Sequence, residues 1–304
     1  MASRPVRFRV VPREQGTALG ALVGDRLPDM GRRESIELVK AGAVYIGHLR
    51  VRVPSTRVAQ GDRITVYPDA LSVKELDPEQ AVRFVHRDAA FVVLDKPAGV
   101  PVAATKATAR GTLSEALRRK LRGEGVDRPY VGVVHRLDQG ASGLVLFTIR
   151  GVANKSLHRE FEKHSIDRTY RVRVVGDAPE AFDCDAPLIE RPGSDSMQVA
   201  ESGQARAKDA RTMFKRLEPA LDIPGTSLLE VSLVTGRTHQ IRVHAAHSGF
   251  PVYGDRRYGS GDTDADRLHL HAWRLQFEHP LEAGVQVDLQ TELDPWAQAD
   301  GETA

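Results

Sequence analysis

Residues 133–147, VVHRLDQGASGLVLF, constrain this chain more than any other stretch. Val133, Val134 and the run 144–147 are apolar and strand-forming, while the segment between them carries a His, an Arg and an Asp. Two strands that belong in a core must therefore meet at a turn that presents an acid. A carboxylate in such a place is costly unless it is paired or used. The plainer alternative is an Asp that caps backbone donors in a tight turn, a common task for Asp beside Gly and Ser.

Composition sets the scale around that turn. A chain of 304 residues with 41% hydrophobic and 28% charged content predicts one small and one larger globular domain. No apolar run approaches the roughly 18–20 residues that span a bilayer, and the first residues lack the apolar core of a signal peptide, so a cytoplasmic protein without membrane contact is expected. Cys184 stands alone, which argues against a disulfide framework, a thiolate zinc cluster and cysteine catalysis. The net charge of +2 hides an asymmetry: residues 1–70 hold 12 Lys and Arg against 7 Asp and Glu, whereas the remainder holds 31 against 34. A small basic domain joined to a near-neutral larger one suits a grip on nucleic acid.

Along the first 70 residues, 6–11 alternate as a short strand, Leu19, Leu22 and Val23 recur at helical spacing, and a helix over 32–41 ends at Gly42. Strands over 43–46 and 49–53 flank a turn at Gly47-His48, and Gly61-Asp62 leads into a strand over 63–67. This order resembles the S4 RNA-binding domain. The resemblance implies that Arg32, Arg33, Lys40, Arg50 and Arg52 lie on RNA phosphates; each is equally well read as a solvated surface charge.

Residues 71–81 are polar and aperiodic and read as a linker to a domain over 82–295, with a polar tail over 296–304. In the larger domain, 82–86 and 91–94 read as strands and 112–122 as a helix. Residues 151–164 form a second, amphipathic helix, and 170–175 a half-buried strand that turns Tyr170 inward and Arg171 and Arg173 outward. Residues 183–208 carry no clear period. Strands over 210–216 and 228–234 precede a helix from Thr238 to a stop at Gly249, with His239, Arg242 and Ala246 on one face, and strands over 268–277 and 285–289 close the domain.

Four motifs then stand in order: Leu94-Asp95-Lys96-Pro97-Ala98-Gly99; His135-Arg136-Leu137-Asp138 with Ser142-Gly143-Leu144; residues 168–175 with Tyr170; and residues 235–244, followed by Leu268-His269-Leu270-His271-Ala272 and Phe277-Glu278-His279-Pro280. Together, over about 82–293, they resemble the RluA-type pseudouridine synthases. The resemblance implies an α+β chain: a small S4-like domain, then a catalytic domain with a mixed, mainly antiparallel sheet flanked by helices. It implies Asp138 as nucleophile, Tyr170 as its neighbour on the uracil and Arg242 as the counter-charge, with no metal and no organic cofactor.

The chemistry asks for the same residue types. Turning uridine into pseudouridine breaks the N1–C1′ bond and rejoins uracil through C5, so a single carboxylate nucleophile, at C1′ or ring C6, is the essential group. Glycosidases need two. An Arg close to a buried Asp favours its anion, the work given to Arg242. Tyr170 would stack on the uracil and help move the C5 proton; its plain alternative is core packing. A paired uridine must be flipped out, and Arg136 is placed to fill the vacated stack or to hold a phosphate. His135, Arg237 and His239 are further RNA-contact candidates in the same motifs.

The expected partner is RNA of the large ribosomal subunit, 23S in type, and the expected state a monomer. A transfer-RNA substrate is the narrower alternative, and an inactive RNA-binding or chaperone protein the broader one. A metal hydrolase built on His239, His244, His247, His269 and His271 lacks a His-Glu-x-x-His pattern. A kinase reading of His-Arg-Leu-Asp lacks both a downstream Asp-Phe-Gly and a phosphate-cradling loop.

Overall fold

A computed structural model describes residues 5–302 apart from 28, 29, 48, 69–75, 105–110, 193, 195, 202 and 260–264. His48 of the expected hairpin turn and most of the expected linker lie outside the described residues. The chain divides into two compact units: Met1–Pro78 with Ala103–Arg119, and Glu79–Val102 with Lys120–Ala304.

The first unit is built from two helices and a four-stranded antiparallel sheet. β1 (Val6–Arg9), α1 (Leu19–Arg26), α2 (Arg32–Lys40), β2 (Val44–Ile46), β3 (Leu49–Val51) and β4 (Arg63–Val66) follow in order, and the sheet runs β1-β4-β2-β3. The helical spacing read from the sequence delivers Leu19, Leu22 and Val23 of α1 and Leu38 and Val39 of α2 to one core with Val44, Ile64 and Val66. Burying each such side chain contributes about 1.5–3 kcal/mol. Ser35 Oγ ties the helices by donating to Gly20 O at 2.9 Å. Arg32, Arg33, Lys40 and Arg52 are exposed. Lys40 pairs with Glu37 at 2.9 Å, and Arg50 donates from Nε to Tyr45 Oη at 2.7 Å.

The second unit holds a ten-stranded sheet. Its elements are α3 (Pro78–Ala81, which begins on the boundary), β5 (Phe84–Arg87), β6 (Phe91–Lys96), α4 (Leu113–Gly123, which runs across the division), β7 (Gly132–Val133), β8 (Ser142–Thr148), α5 (Gly151–Glu162), β9 (Asp167–Val175), β10 (Ala181–Cys184), β11 (Leu188–Glu190), β12 (Met197–Val199), β13 (Thr212–Leu217), β14 (Thr226–Leu233), α6 (Gln240–His247), β15 (Leu270–Glu278) and β16 (Gln286–Gln290). The main path is β10-β13-β14-β9-β15-β8-β6-β5, with β16 on β15 and β7 on β8. The described pairings are antiparallel except β15 with β8, so the sheet is mixed and mainly antiparallel, as the resemblance implies. Every residue of β8 is buried, the condition of a central strand covered on both faces. Gly143, at φ +105°, allows the parallel contact: a Cβ there would lie 2.2 Å from Ala272 O.

Four expectations need correction. Arg171 and Arg173 do not face solvent but are 2% and 0% exposed. Arg171 lies over the Trp273 ring and pairs with Glu230 at 2.6 Å and with Glu302, while Arg173 donates to Trp296 O, Leu221 O and Thr226 Oγ1. Residues 296–302 are accordingly no free tail, since Trp296 and Ala297 are buried against this strand. The interval expected as a linker includes α3, whose Ala81 is buried, and residues 103–119, expected in the catalytic domain, group with the first unit.

Candidate active site

The loop between β7 and β8 carries Asp138, and Lys96 at the end of β6 holds that loop. The Lys96 Nζ donates to Pro97 O at 2.9 Å, Val100 O at 2.7 Å and Gln139 O at 3.1 Å. Gly99 and Gln139 bond each other twice more, backbone to backbone and through Gln139 Nε2. Burial pulls the Lys96 ammonium down to about 7, against the charges of Asp138 and Asp95. Three carbonyls need three N–H donors, so the bonded form is the ammonium. The residue after Asp138 is thus pinned to the loop that follows β6.

Arg242, on the first turn of α6, donates from Nη1 to Asp138 Oδ2 at 2.8 Å. Its Nε and Nη2 donate to the two oxygens of Asp255 at 2.7 Å each, a bidentate fork. Asp255 is fully buried and also accepts from the backbone N–H of Arg257 and Tyr258, while Asp138 keeps 19% of its side chain exposed and so stays reachable. Burial disfavours the Arg242 cation, but the bonds to Asp255 and the charge of Asp138 outweigh it and push its pKa up. Burial would raise Asp255, yet Arg242 holds its carboxyl below the usual range. Both partners therefore stay ionised.

His239 was expected inside the helix; it precedes it, with φ +55° in the left-handed region, and α6 starts at Gln240. Strain of this kind costs about 1–3 kcal/mol and persists where surroundings over-determine it. Here Tyr258 Oη lies 2.7 Å from His239 Nδ1, and Nε2 lies 3.8 Å from Asp138 Oδ1. Burial lowers the His239 pKa against the pull of Asp138. The Tyr258 ring also lies under the Arg242 guanidinium, at 5.1 Å.

Tyr170 projects from β9, buried, with its neighbours fixed by pairing to Val231 of β14 and Ala272 of β15. Burial raises its phenol pKa, Asp138 adds to that and Arg168 opposes it, so the hydroxyl stays protonated near neutral pH. Asp138, Tyr170 and Arg242 line one cleft of about 550 Å³, together with Arg136, Arg237 and His239.

His135, expected on RNA, also borders this cleft but is engaged by the protein. Its Nε2 accepts the Leu146 N–H at 2.9 Å and its ring stacks on Phe161 with centroids 5.0 Å apart. Burial, with Arg168 adding to it, lowers its pKa to about 3, as an acceptor nitrogen requires. These contacts tie the loop to β8 and α5. Arg136 is exposed at the cleft, and Arg237 donates from Nε to Asp209 O at 2.9 Å. Arg32, Arg33, Lys40, Arg50 and Arg52 belong to the first unit. Asp255, Tyr258 and Arg168 were not foreseen; the only sequence signals were a Gly-Asp turn and a basic residue two before Tyr170.

Among the described residues no group of three or more His, Cys, Asp or Glu is placed to hold a metal ion. His244 and His271 bridge the protein's own polar groups: Thr212 and Ala186 O for the first, Ser142 and Thr291 for the second.

The cleft thus brings Asp138, Tyr170 and Arg242 together, and comparison with known families identifies the chain. The family model described as RNA pseudouridylate synthase matches residues 90–247, from β6 through α6. The chain belongs to the RNA pseudouridylate synthase family.

Its relatives agree. An uncharacterized RNA pseudouridine synthase of Aquifex aeolicus is 31% identical, with 94% of this chain and 92% of the relative covered. The ribosomal large subunit pseudouridine synthase D of Neisseria meningitidis serogroup B is 33% identical over 91% of this chain and 76% of its own length. Among solved structures, human RNA pseudouridylate synthase domain containing 1 is similar with a TM-score of 0.59 and 26% identity, over 73% of this chain and 87% of that one. The synthase is an RNA-modifying enzyme with a mainly antiparallel catalytic sheet.

Proposed function

We propose that this synthase isomerises specific uridines in large-subunit ribosomal RNA, 23S in type, with Asp138 as nucleophile. The observation that carries the residue assignment is the bond from Arg242 Nη1 to Asp138 Oδ2 at 2.8 Å, in a cleft that Tyr170 also lines. Asp255 takes the Nε and Nη2 of Arg242 in a fork that aims Nη1 at Asp138 Oδ2 and leaves Oδ1 to attack C1′ or ring C6.

As the bond from Asp138 forms, N1–C1′ breaks and uracil turns within the cleft; rejoining through C5 releases Asp138, C5 gives up its proton and N1 takes one up. Tyr170, protonated by virtue of its burial, acts as a stacking surface and as a relay whose hydroxyl passes one proton while accepting another. The target base leaves its helix to reach this depth, and Arg136, exposed beside the nucleophile, occupies its place in the stack or holds a neighbouring phosphate.

Recruitment falls to the first unit, which resembles an S4 domain, through Arg32, Arg33, Lys40, Arg50 and Arg52. Arg50 and Arg52 both lie against Gly42 at the end of α2, close in sequence to Lys40, a grouping that suits a phosphate backbone. The large-subunit substrate is taken from relatives so named. The protein is read as a cytoplasmic monomer; among the described residues no helix is long and apolar enough to cross a membrane.

Chemical mapping of pseudouridine in total RNA, with and without the gene, tests the reading. Sites in large-subunit RNA that vanish with the gene support it, and sites lost only from transfer RNA would redirect it.

A further inference from the structure

The arginines that line the cleft differ in what holds them. Arg242 is bound by two carboxylates and Arg237 by a carbonyl. Arg168 makes no hydrogen bond or ion pair among the described residues, although its Nε is sealed from solvent. Glu162, the other acid bordering the cleft beside Asp138, forms no ion pair with it there. A buried charged donor without an acceptor survives where a ligand supplies one.

Its position is built rather than incidental. Arg168 precedes Tyr170 by two residues on β9, so both side chains leave the same face of the strand. The guanidinium lies over the Phe161 ring at 5.5 Å, and Phe161 is stacked in turn on His135. Its Nη1 reaches the loop before α6, where a Cβ on Gly236 would stand 2.5 Å away. Gly236 and the guanidinium thus stand in close approach.

We propose that Arg168 binds the phosphodiester of the flipped target nucleotide, a reading that rests on the RNA substrate and the Asp138 chemistry given above. A guanidinium that keeps its fork free matches two non-bridging oxygens of one phosphate, and a phenyl face beneath it fixes the plane of the fork. A uridine whose base lies between Asp138 and Tyr170 carries its phosphate into the same cleft, at whose wall Arg168 stands. Arg168 thereby anchors the nucleotide backbone while Arg242 serves the nucleophile.

The test uses the full chain, large-subunit ribosomal RNA as probe, and the variants Arg168→Met and Arg168→Lys, each checked for an unchanged melting temperature. Arg168→Met raises KM about 10- to 100-fold with kcat within about threefold of wild type, and flattens the slope of log Kd against log salt by about 0.7, one single-strand phosphate. Arg168→Lys restores the slope but only part of the affinity. An unchanged slope, or a loss confined to kcat, overturns the proposal, the latter pointing to a contact with the uracil. A melting temperature lowered in both variants with an unchanged slope does the same, as a packing role. Should wild type modify no uridine in this RNA, the functional reading fails separately, and the salt slopes still decide whether Arg168 meets phosphate.

Discussion

Asp255 grips Arg242 with two hydrogen bonds of 2.7 Å and so directs its remaining Nη1 at Asp138. The partner of Asp138 is thus itself held by a fully buried acid. Removing that acid leaves a cation whose burial is no longer compensated, a loss of about 3–5 kcal/mol. Asp255→Ala is expected to lower the melting temperature and to reduce kcat more than KM, and Asp255→Asn to do both more mildly. Thermal denaturation beside steady-state kinetics checks this; wild-type kcat in the Ala variant contradicts it.

The proposed function gives Tyr170 two roles, stacking and proton transfer, and the two are separable. Tyr170→Phe keeps the ring and removes the relay, so kcat falls by about 100- to 10,000-fold while RNA affinity holds. If turnover in the Phe variant matches wild type, stacking alone is the role. Single-turnover rates and filter binding measure the two quantities.

Acid is expected to weaken the fold through its buried histidines. His135 is held down to about 3, and His269 and His271 to about 4, chiefly by burial. In the unfolded chain each titrates near 6.5, so below that the unfolded state binds more protons, and the stability these groups contribute is present above about 6.5 and lost as pH falls toward 4. Urea midpoints at pH 7.5, 6, 5 and 4 are expected to drop in that order. His271→Asn, which removes one such group, should flatten the fall, and a midpoint independent of pH contradicts the assignment.

For the first unit, the quadruple substitution of Arg32, Arg33, Arg50 and Arg52 by Ala is expected to raise the RNA Kd and flatten its salt dependence, by up to about 0.9 for each phosphate no longer neutralised. All four are on a folded surface whose core they do not enter. A slope equal to wild type removes the unit from recruitment.

What was legible in the sequence is local or repeated: the acid between two apolar runs, the helical spacing of 151–164, the mainly antiparallel sheet, and a motif set that brings Asp138, Tyr170 and Arg242 to one cleft. What was not legible depends on segments far apart in the chain. Alternating Arg171 and Arg173 with apolar residues has the period of a half-solvated strand, and nothing near them announces that Glu230, Trp296 and Glu302 arrive to bury both. His239 has helical spacing from Arg242 but is turned out of the helix by its bond to Tyr258, nineteen residues on. Asp255 looks like a turn residue because Gly254 precedes it, and its partner is visible only once α6 is folded beside it.

The account stands on Asp138 as the attacking group, and the most direct measurement is pseudouridine formation by Asp138→Asn, mapped chemically in large-subunit ribosomal RNA under single-turnover conditions. The substitution keeps the shape of the side chain and an oxygen for Arg242 but removes the nucleophilic charge. The predicted result is no pseudouridine above background with RNA binding retained; turnover near the wild-type rate would contradict it.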